Sequence, residues 1–226
     1  MNTSFLKSVL PFFAAVIFAA GCSDSVSNPD TSIHGSGRVI TESRTLEACE
    51  GVTINSIGEV YLTQAETQSI RIEADDNIMN HVVSERQNGI LVVGLKDGSY
   101  SNTTVRIYVS LKDIKFLSIE GAGNIETVAP IAFPSLSCII NGAGNITLRG
   151  QGDDISCILN GAGEFKAKLF TARNFSVILN GAGTCTATVS EKLDAIVNGV
   201  GTVVYYGNPP IVKTAFGGVG RIVRGS

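Results

Sequence analysis

The sequence predicts an all-β chain, a β-solenoid of coils about 20 residues long, and three observations predict it. A Gly-x-Gly step recurs at Gly121-Ala-Gly123, Gly142-Ala-Gly144, Gly161-Ala-Gly163, Gly181-Ala-Gly183, Gly199-Val-Gly201 and Gly218-Val-Gly220. The first glycines follow one another at 21, 19, 20, 18 and 19 residues. The rows on either side of the step are apolar: Ile119, Ile140, Leu159, Leu179, Val197 and Phe216 two residues before it, and Ile125, Ile146, Phe165, Cys185, Val203 and Ile222 two residues after. An apolar strand, a two-glycine corner and a second apolar strand, with no helical periodicity, form one coil of a stack.

The start of the chain reads differently. Lys7 precedes an apolar run over residues 9–20, interrupted by Pro11 and too short for a comfortable membrane span, so residues 1–21 read as a secretory signal. The run ends in Ala19-Ala20-Gly21-Cys22, which resembles the lipobox of bacterial lipoproteins, with Ala19 where a leucine is usual. That resemblance implies cleavage before Cys22 and acylation of its sulfur, and more than one acyl chain suffices for stable anchoring. Ser23 is similar to the residue that directs lipoproteins to the outer membrane. The expected location is therefore the bacterial cell envelope, lipid-anchored at the outer membrane. Residues 22–36, rich in Ser, Asp, Asn, Pro and Gly, read as a solvated tether, and the folded domain is expected over 37–226.

Between Gly37 and Phe116 the pattern stays β but the glycine repeat is lost. Strands are expected over 38–41, 51–55, 59–63, 69–74, 90–95 and 104–110. Residues 75–83 offer one helical turn, with Asp75 or Asp76 as its N-cap. Asn88-Gly89 and Asp97-Gly98 are turn signals. These irregular coils are expected to cap the stack, because a solenoid needs an atypical terminal unit.

From residue 116 onward the coils are regular. Glycine suits the corners because it reaches φ > 0 and because neighbouring coils bring backbone against backbone there. The small middle residues Ala122, Ala143, Ala162, Ala182, Val200 and Val219 are expected to point inward. Just before the corner stand Asn141, Asn160, Asn180 and Asn198, flanked by Glu120 and Gly217 at the ends. Coils lie about 4.8 Å apart, so these amides are expected to form a hydrogen-bonded ladder; gripping a polysaccharide is the alternative. One position further back, Ile139, Ile158, Ile178 and Ile196 make the strands apolar on both faces. Such a stripe calls for a cover: the N-terminal segment first, then a second copy of the chain, then an apolar ligand.

Chemistry is sparse. Cys138 and Cys157 share a repeat position and stack in adjacent coils, where two buried thiols are expected ahead of a disulfide. No metal site is expected, since neither His34 nor His81 lies near a Cys pair. The carboxylate pairs Asp75-Asp76 and Asp153-Asp154 read as a helix cap and a turn, not as an acid and a base. The places where calcium-binding glycine repeats carry aspartate hold Asn124, Asn145, Glu164, Thr184, Thr202 and Arg221. Single Gly-x-Gly steps without helices are not a dinucleotide fingerprint. A formal charge of −3 gives no basic footprint for nucleic acid. No catalytic residue and no cofactor are expected.

Four stretches resemble one family: Gly58-Glu59-Val60-Tyr61-Leu62-Thr63-Gln64, Ile72-Glu73-Ala74-Asp75-Asp76-Asn77, Asn88-Gly89-Ile90-Leu91 and the repeated Gly-Ala-Gly-Asn-Ile. Together they are similar to the head GIN domain family of auto-transporter adhesins. The resemblance covers residues 35–220 and implies a right-handed parallel β-helix in an envelope protein, with no catalytic residue to carry over. The function expected is a non-catalytic, lipid-anchored module for adhesion, scaffolding or contact with an envelope glycan or protein. Copies could associate through the Ile139, Ile158, Ile178 and Ile196 row. The alternative is a carbohydrate-active β-helix, a lyase or hydrolase with an unrecognised site.

Overall fold

The computed structural model describes residues 32–226. Cys22 and residues 1–21, where a secretory signal is expected, lie outside the described residues. Nine strands precede the regular repeats: β1 (Ile33–His34), β2 (Val39–Arg44), β3 (Gly51–Ile54), β4 (Ile57–Gln64), β5 (Ser69–Asp75), β6 (Val82–Gln87), β7 (Ile90–Leu95), β8 (Tyr100–Ser101) and β9 (Val105–Leu111). The repeats comprise β10 (Phe116–Ile119), β11 (Ala122–Thr127), β12 (Ile131–Ile140), β13 (Ala143–Leu159), β14 (Glu164–Leu179), β15 (Thr184–Val197), β16 (Thr202–Tyr206), β17 (Ile211–Phe216) and β18 (Arg221–Arg224).

Every strand pair in the repeats is parallel and joins equivalent positions of consecutive coils. The chain is thus a parallel β-solenoid, as the glycine period predicts. Each coil has a first face ahead of the Gly-x-Gly corner, a second face after it, and a third side where the register between coils shifts, as between Thr147 and Arg149 or Ala167 and Thr171. The inward rows are the apolar rows of the sequence. Ile119, Ile140, Leu159, Leu179 and Val197 are fully buried, as are Ile125, Ile146, Phe165, Cys185 and Val203. Phe165 and Phe175 stack at 5.8 Å across the core, and Phe133 and Phe170 at 5.2 Å.

The corners hold a different reason for glycine from the one expected. None of the corner glycines takes a positive φ. A Cβ on Gly142 would lie 1.8 Å from the carbonyl oxygen of Gly121, one on Gly161 1.9 Å from that of Gly142, and one on Gly181 2.0 Å from that of Gly161. Close approach of stacked backbones alone excludes a side chain. The middle residues correct a second expectation: Ala122, Ala143, Ala162 and Ala182 point outward, and Val200 and Val219 are 62% and 82% exposed. With the glycines facing the neighbouring coil, the residue between them is left on the outside of the bend.

The irregular half caps one end. β3 and β4 add to the two sheets in parallel, as do β7 on β3 and β9 on β4, whereas β5 joins β9, β2 joins β5 and β6 joins β7 antiparallel. All six expected strands are present, and β1, β6 and β8 are additional to them. Asn88 (φ 52°) and Gly89 (φ 82°) make the two-residue turn of the β6–β7 hairpin. The helical turn shrinks to a 3-10 turn at Met79–His81, whose N-cap is Ile78 with no side-chain cap. Asp75 closes β5 instead. Its buried carboxylate accepts the backbone N–H groups of Gly37 (2.8 Å) and Thr104 (2.7 Å). Order also starts earlier than residue 37, because β1 pairs with β8 and Gly35 donates its N–H to the Ser101 carbonyl.

Candidate functional site: the outer faces of the solenoid

The in-register stack turns each outward position into a column along the axis. On the first face Ser135, Asp154, Asn174 and Lys192 form one column and Ser137, Ser156, Ser176 and Asp194 the next. Ile139, Ile158, Ile178 and Ile196 form the third and the four asparagines the fourth. The serine column floors a cleft of about 440 Å³, walled by Asp154, Asn174, Lys115 and Lys192.

The asparagine ladder is present as predicted. Asn141 Nδ2 donates to Glu120 Oε2 (2.7 Å), Asn160 to Asn141 (2.7 Å), Asn180 to Asn160 (2.7 Å) and Asn198 to Asn180 (2.8 Å). Glu120 ends the ladder as a pure acceptor and is itself held by the Ser118 hydroxyl. A shorter ladder, Asn145 to Asn124 at 2.8 Å, lies beyond the corner.

The isoleucine row is half-buried, and among the described residues no strand covers it. β1 and β2 pair with β8 and β5, away from the strands that carry the row. Buried between tight neighbours on either side, each isoleucine shows one edge to solvent. The two-sided apolar pattern therefore describes a sheet with one sealed face and one amphipathic face.

The second face carries more charge. Tyr61 and Tyr108 stack at 5.1 Å, and the Arg71 guanidinium lies 3.9 Å from the Tyr108 ring centre. The carboxylates here are tied to cations: Glu59 to Arg106 (3.7 Å), Glu126 to Arg149 (3.4 Å), Glu164 to Lys166 (2.6 Å) and Glu73 to Arg71. The Arg71 hydrogen bond, with that of the Tyr108 hydroxyl, holds the Glu73 carboxyl below its usual range. A general acid needs the opposite shift. Beside the corner a cleft of about 600 Å³ is lined by Glu59, Arg106, Asn124 and Asn145.

The remaining expected residues fall into structural places. Asp76 pairs with Arg38 at 2.7 Å, and the Ser36 hydroxyl lowers its carboxyl pKa. Asp153 pairs with Arg173 (3.5 Å), and Asp154 accepts from Asn174 (2.8 Å). His34 shares a hydrogen bond with Ser101 (2.7 Å) and His81 one with Tyr100 (3.3 Å), each in the cap. Cys49, Cys138, Cys157 and Cys185 are buried free thiols, and desolvation pushes Cys138 and Cys185 well above the ordinary thiol value. Among the described residues no cluster of His, Cys, Asp and Glu could hold a metal ion.

A stacked fold whose outer faces repeat a short set of side chains defines a β-solenoid surface module. The chain belongs to the family described as putative auto-transporter adhesin, head GIN domain, whose model matches residues 49–209. Its fold is shared by a putative adhesin from Bacteroides fragilis, 21% identical over 85% of this chain and all of that one, with a TM-score of 0.66. A putative lipid binding protein from Parabacteroides distasonis is 20% identical over 86% of this chain and all of its own, with a TM-score of 0.54. A putative adhesin from the same species is 14% identical over the same share, with a TM-score of 0.53. No curated protein matches the chain.

Proposed function

We propose that this chain is a lipid-anchored, non-catalytic module of the bacterial cell envelope that makes adhesive contacts through the first face of its solenoid. One observation carries the reading. Serine, isoleucine and asparagine recur in register across neighbouring coils, so the face offers a repeated set of hydroxyl, apolar and amide groups instead of one converging pocket. A repeated surface suits a repeating partner, an envelope glycan or an extended protein, because each coil adds an equivalent weak contact. Family membership and the adhesin-like fold relatives support the same reading. The lipobox-like Ala19-Ala20-Gly21-Cys22 supports the anchor.

Binding of the soluble protein, residues 23–226, to isolated envelope glycan and to immobilised envelope protein tests the contact. Ile158→Asp and Ser156→Tyr, both on the outer face, should abolish retention while leaving the β-sheet circular dichroism signal unchanged. Glycan turnover abolished by changing Asp154 or Glu126 would instead establish the carbohydrate-active alternative. For the anchor, Cys22→Ala should leave an unprocessed precursor that takes up no labelled fatty acid, and continued labelling would exclude the lipobox.

A further inference from the structure

The two ends of the stack are built differently. Antiparallel strands and a hairpin close the end formed by β2, β5 and β6. At the other end β17 pairs only with β15 and β18 only with β16, so each presents an unpaired backbone edge among the described residues. β17 continues the first face, and its inward positions extend the core columns: Val212 stands over Leu193 and Phe216 over Val197. Leu193 and Val197 are sealed, whereas Val212 and Phe216 are 42% and 54% exposed. Among the described residues the core therefore ends in an exposed apolar layer beside an unpaired strand edge.

Charge says what fits it. Residues 198–226 contain no Asp or Glu, and their cations are Lys213, Arg221 and Arg224. Nearly every other cation among the described residues has a carboxylate partner within 4 Å, the exceptions being Lys96 and Lys168, which meet a carbonyl and a tyrosine ring. The three of the last coil have none; Lys213 stands in register over Asp194, whose carboxylate pairs with Lys192. A solenoid that spends its acids on ion pairs elsewhere leaves this end basic.

We propose that the β17 edge receives an extended acidic strand of another protein, added in register as one further layer. The strand's backbone would pair with that of β17, its inward apolar residues would cover Val212 and Phe216, and its outward carboxylates would meet Lys213, with Arg221 and Arg224 of β18 adding to the positive field of this end. A second copy is disfavoured: two such ends face to face would oppose the same three cations. Head-to-tail stacking would bring β6, the strand that ends the first face, and its inward positions Val82, Ser84 and Arg86 would set a guanidinium against the apolar layer of Val212 and Phe216.

The test uses the full chain in mild detergent and a fluorescein-labelled peptide, Glu-Val-Glu-Val-Glu-Phe, read by anisotropy. Binding should be at least tenfold tighter than that of the peptide with lysine for glutamate, and it should weaken as salt rises. N-methylation at alternate peptide residues should abolish it. Lys213→Glu with Arg221→Glu should reverse the preference between the two peptides, and Phe216→Asp, at an exposed position, should weaken binding tenfold with the circular dichroism unchanged. Equal binding of both peptides, or retention of the N-methylated one, would overturn strand addition. A dimer in light scattering that Lys213→Glu disrupts would assign the edge to a second copy, and absence of any peptide binding would show the edge already filled; either result rejects the proposal.

Discussion

Asn160 Nδ2 donates to Asn141 Oδ1 across 2.7 Å, and Asn160 Oδ1 in turn accepts from Asn180 Nδ2 at 2.7 Å. Each inner rung thus serves as donor and acceptor at once, and the polarity of the amides runs one way along the stack. A hydrogen bond of this kind contributes about 0.5–1.5 kcal/mol net. Asn160→Ala removes two and should lower stability by about 1–2 kcal/mol. Asn198 donates once, to Asn180, so Asn198→Ala should cost about half as much. Urea denaturation of both variants checks this; equal losses would mean that the ladder does not act rung by rung.

The corners give the sharpest contrast between adjacent residues. Gly161→Ala would place a Cβ 1.9 Å from a backbone oxygen that cannot move without shifting a whole coil. Ala162→Ser changes a side chain in solvent. The first should cost more than about 3 kcal/mol and the second less than about 0.5 kcal/mol. Thermal unfolding distinguishes them, and a benign Gly161→Ala would show that the stack is more compliant than its geometry implies.

Acid should loosen the second face through Glu73. Its carboxyl is depressed in the folded state, chiefly by the Arg71 hydrogen bond, so its contribution is present above the unfolded carboxylate value of about 4.3 and is lost as pH falls through the lower folded value. Glu73→Gln should therefore flatten the stability profile below about pH 4.3 and leave its shape above that unchanged. The group is partly solvated, so the effect should be small and should shrink in high salt. A variant whose acid limb matches the parent's would remove Glu73 from the account.

The thiols offer a chemical check on the core. Burial that raises Cys138 and Cys185 suppresses the reactive thiolate. Iodoacetamide at pH 8 should leave Cys138, Cys157 and Cys185 unmodified in the native protein and label all three in guanidinium. Mass spectrometry of tryptic peptides reads both states. Native labelling at Cys157 would mean that the coils open locally far more often than the packing suggests.

The repeat was legible because a short period carries its own register: once the glycines are aligned, Asn141, Asn160, Asn180 and Asn198 must share a column. The direction of Ala143 was not legible, since a two-glycine corner can turn by positive φ or by bare backbone contact, and the two place the middle residue on opposite sides. An apolar residue looks the same in sequence whether it is covered or only flanked, so the strand pattern around Ile158 suggests burial on both faces where the structure leaves it half-buried. The neighbours of Asp75 in sequence suggest a helix cap, while its partners Gly37 and Thr104 lie 38 and 29 residues away. β6 is hidden for a local reason: Val82–Gln87 is apolar only at its first two residues, although its register with β7 is set by the turn at Asn88 and Gly89.

The unequal spacing of the glycines has a place in the structure. Between β11 and β13 the equivalent residues differ by 21, as for Ala122 and Ala143, and between β12 and β13 by 19, as for Ile131 and Gly150. The offset between β14 and β15 changes from 20 at Ala167 and Ala187 to 17 at Thr171 and Thr188, then to 18 at Asn174 and Lys192. Every gain or loss of residues falls on the third side. That side works as an expansion joint: descent can lengthen or shorten it, and an engineer can splice a tag or a loop into it, while the lattices on the other two faces stay in phase.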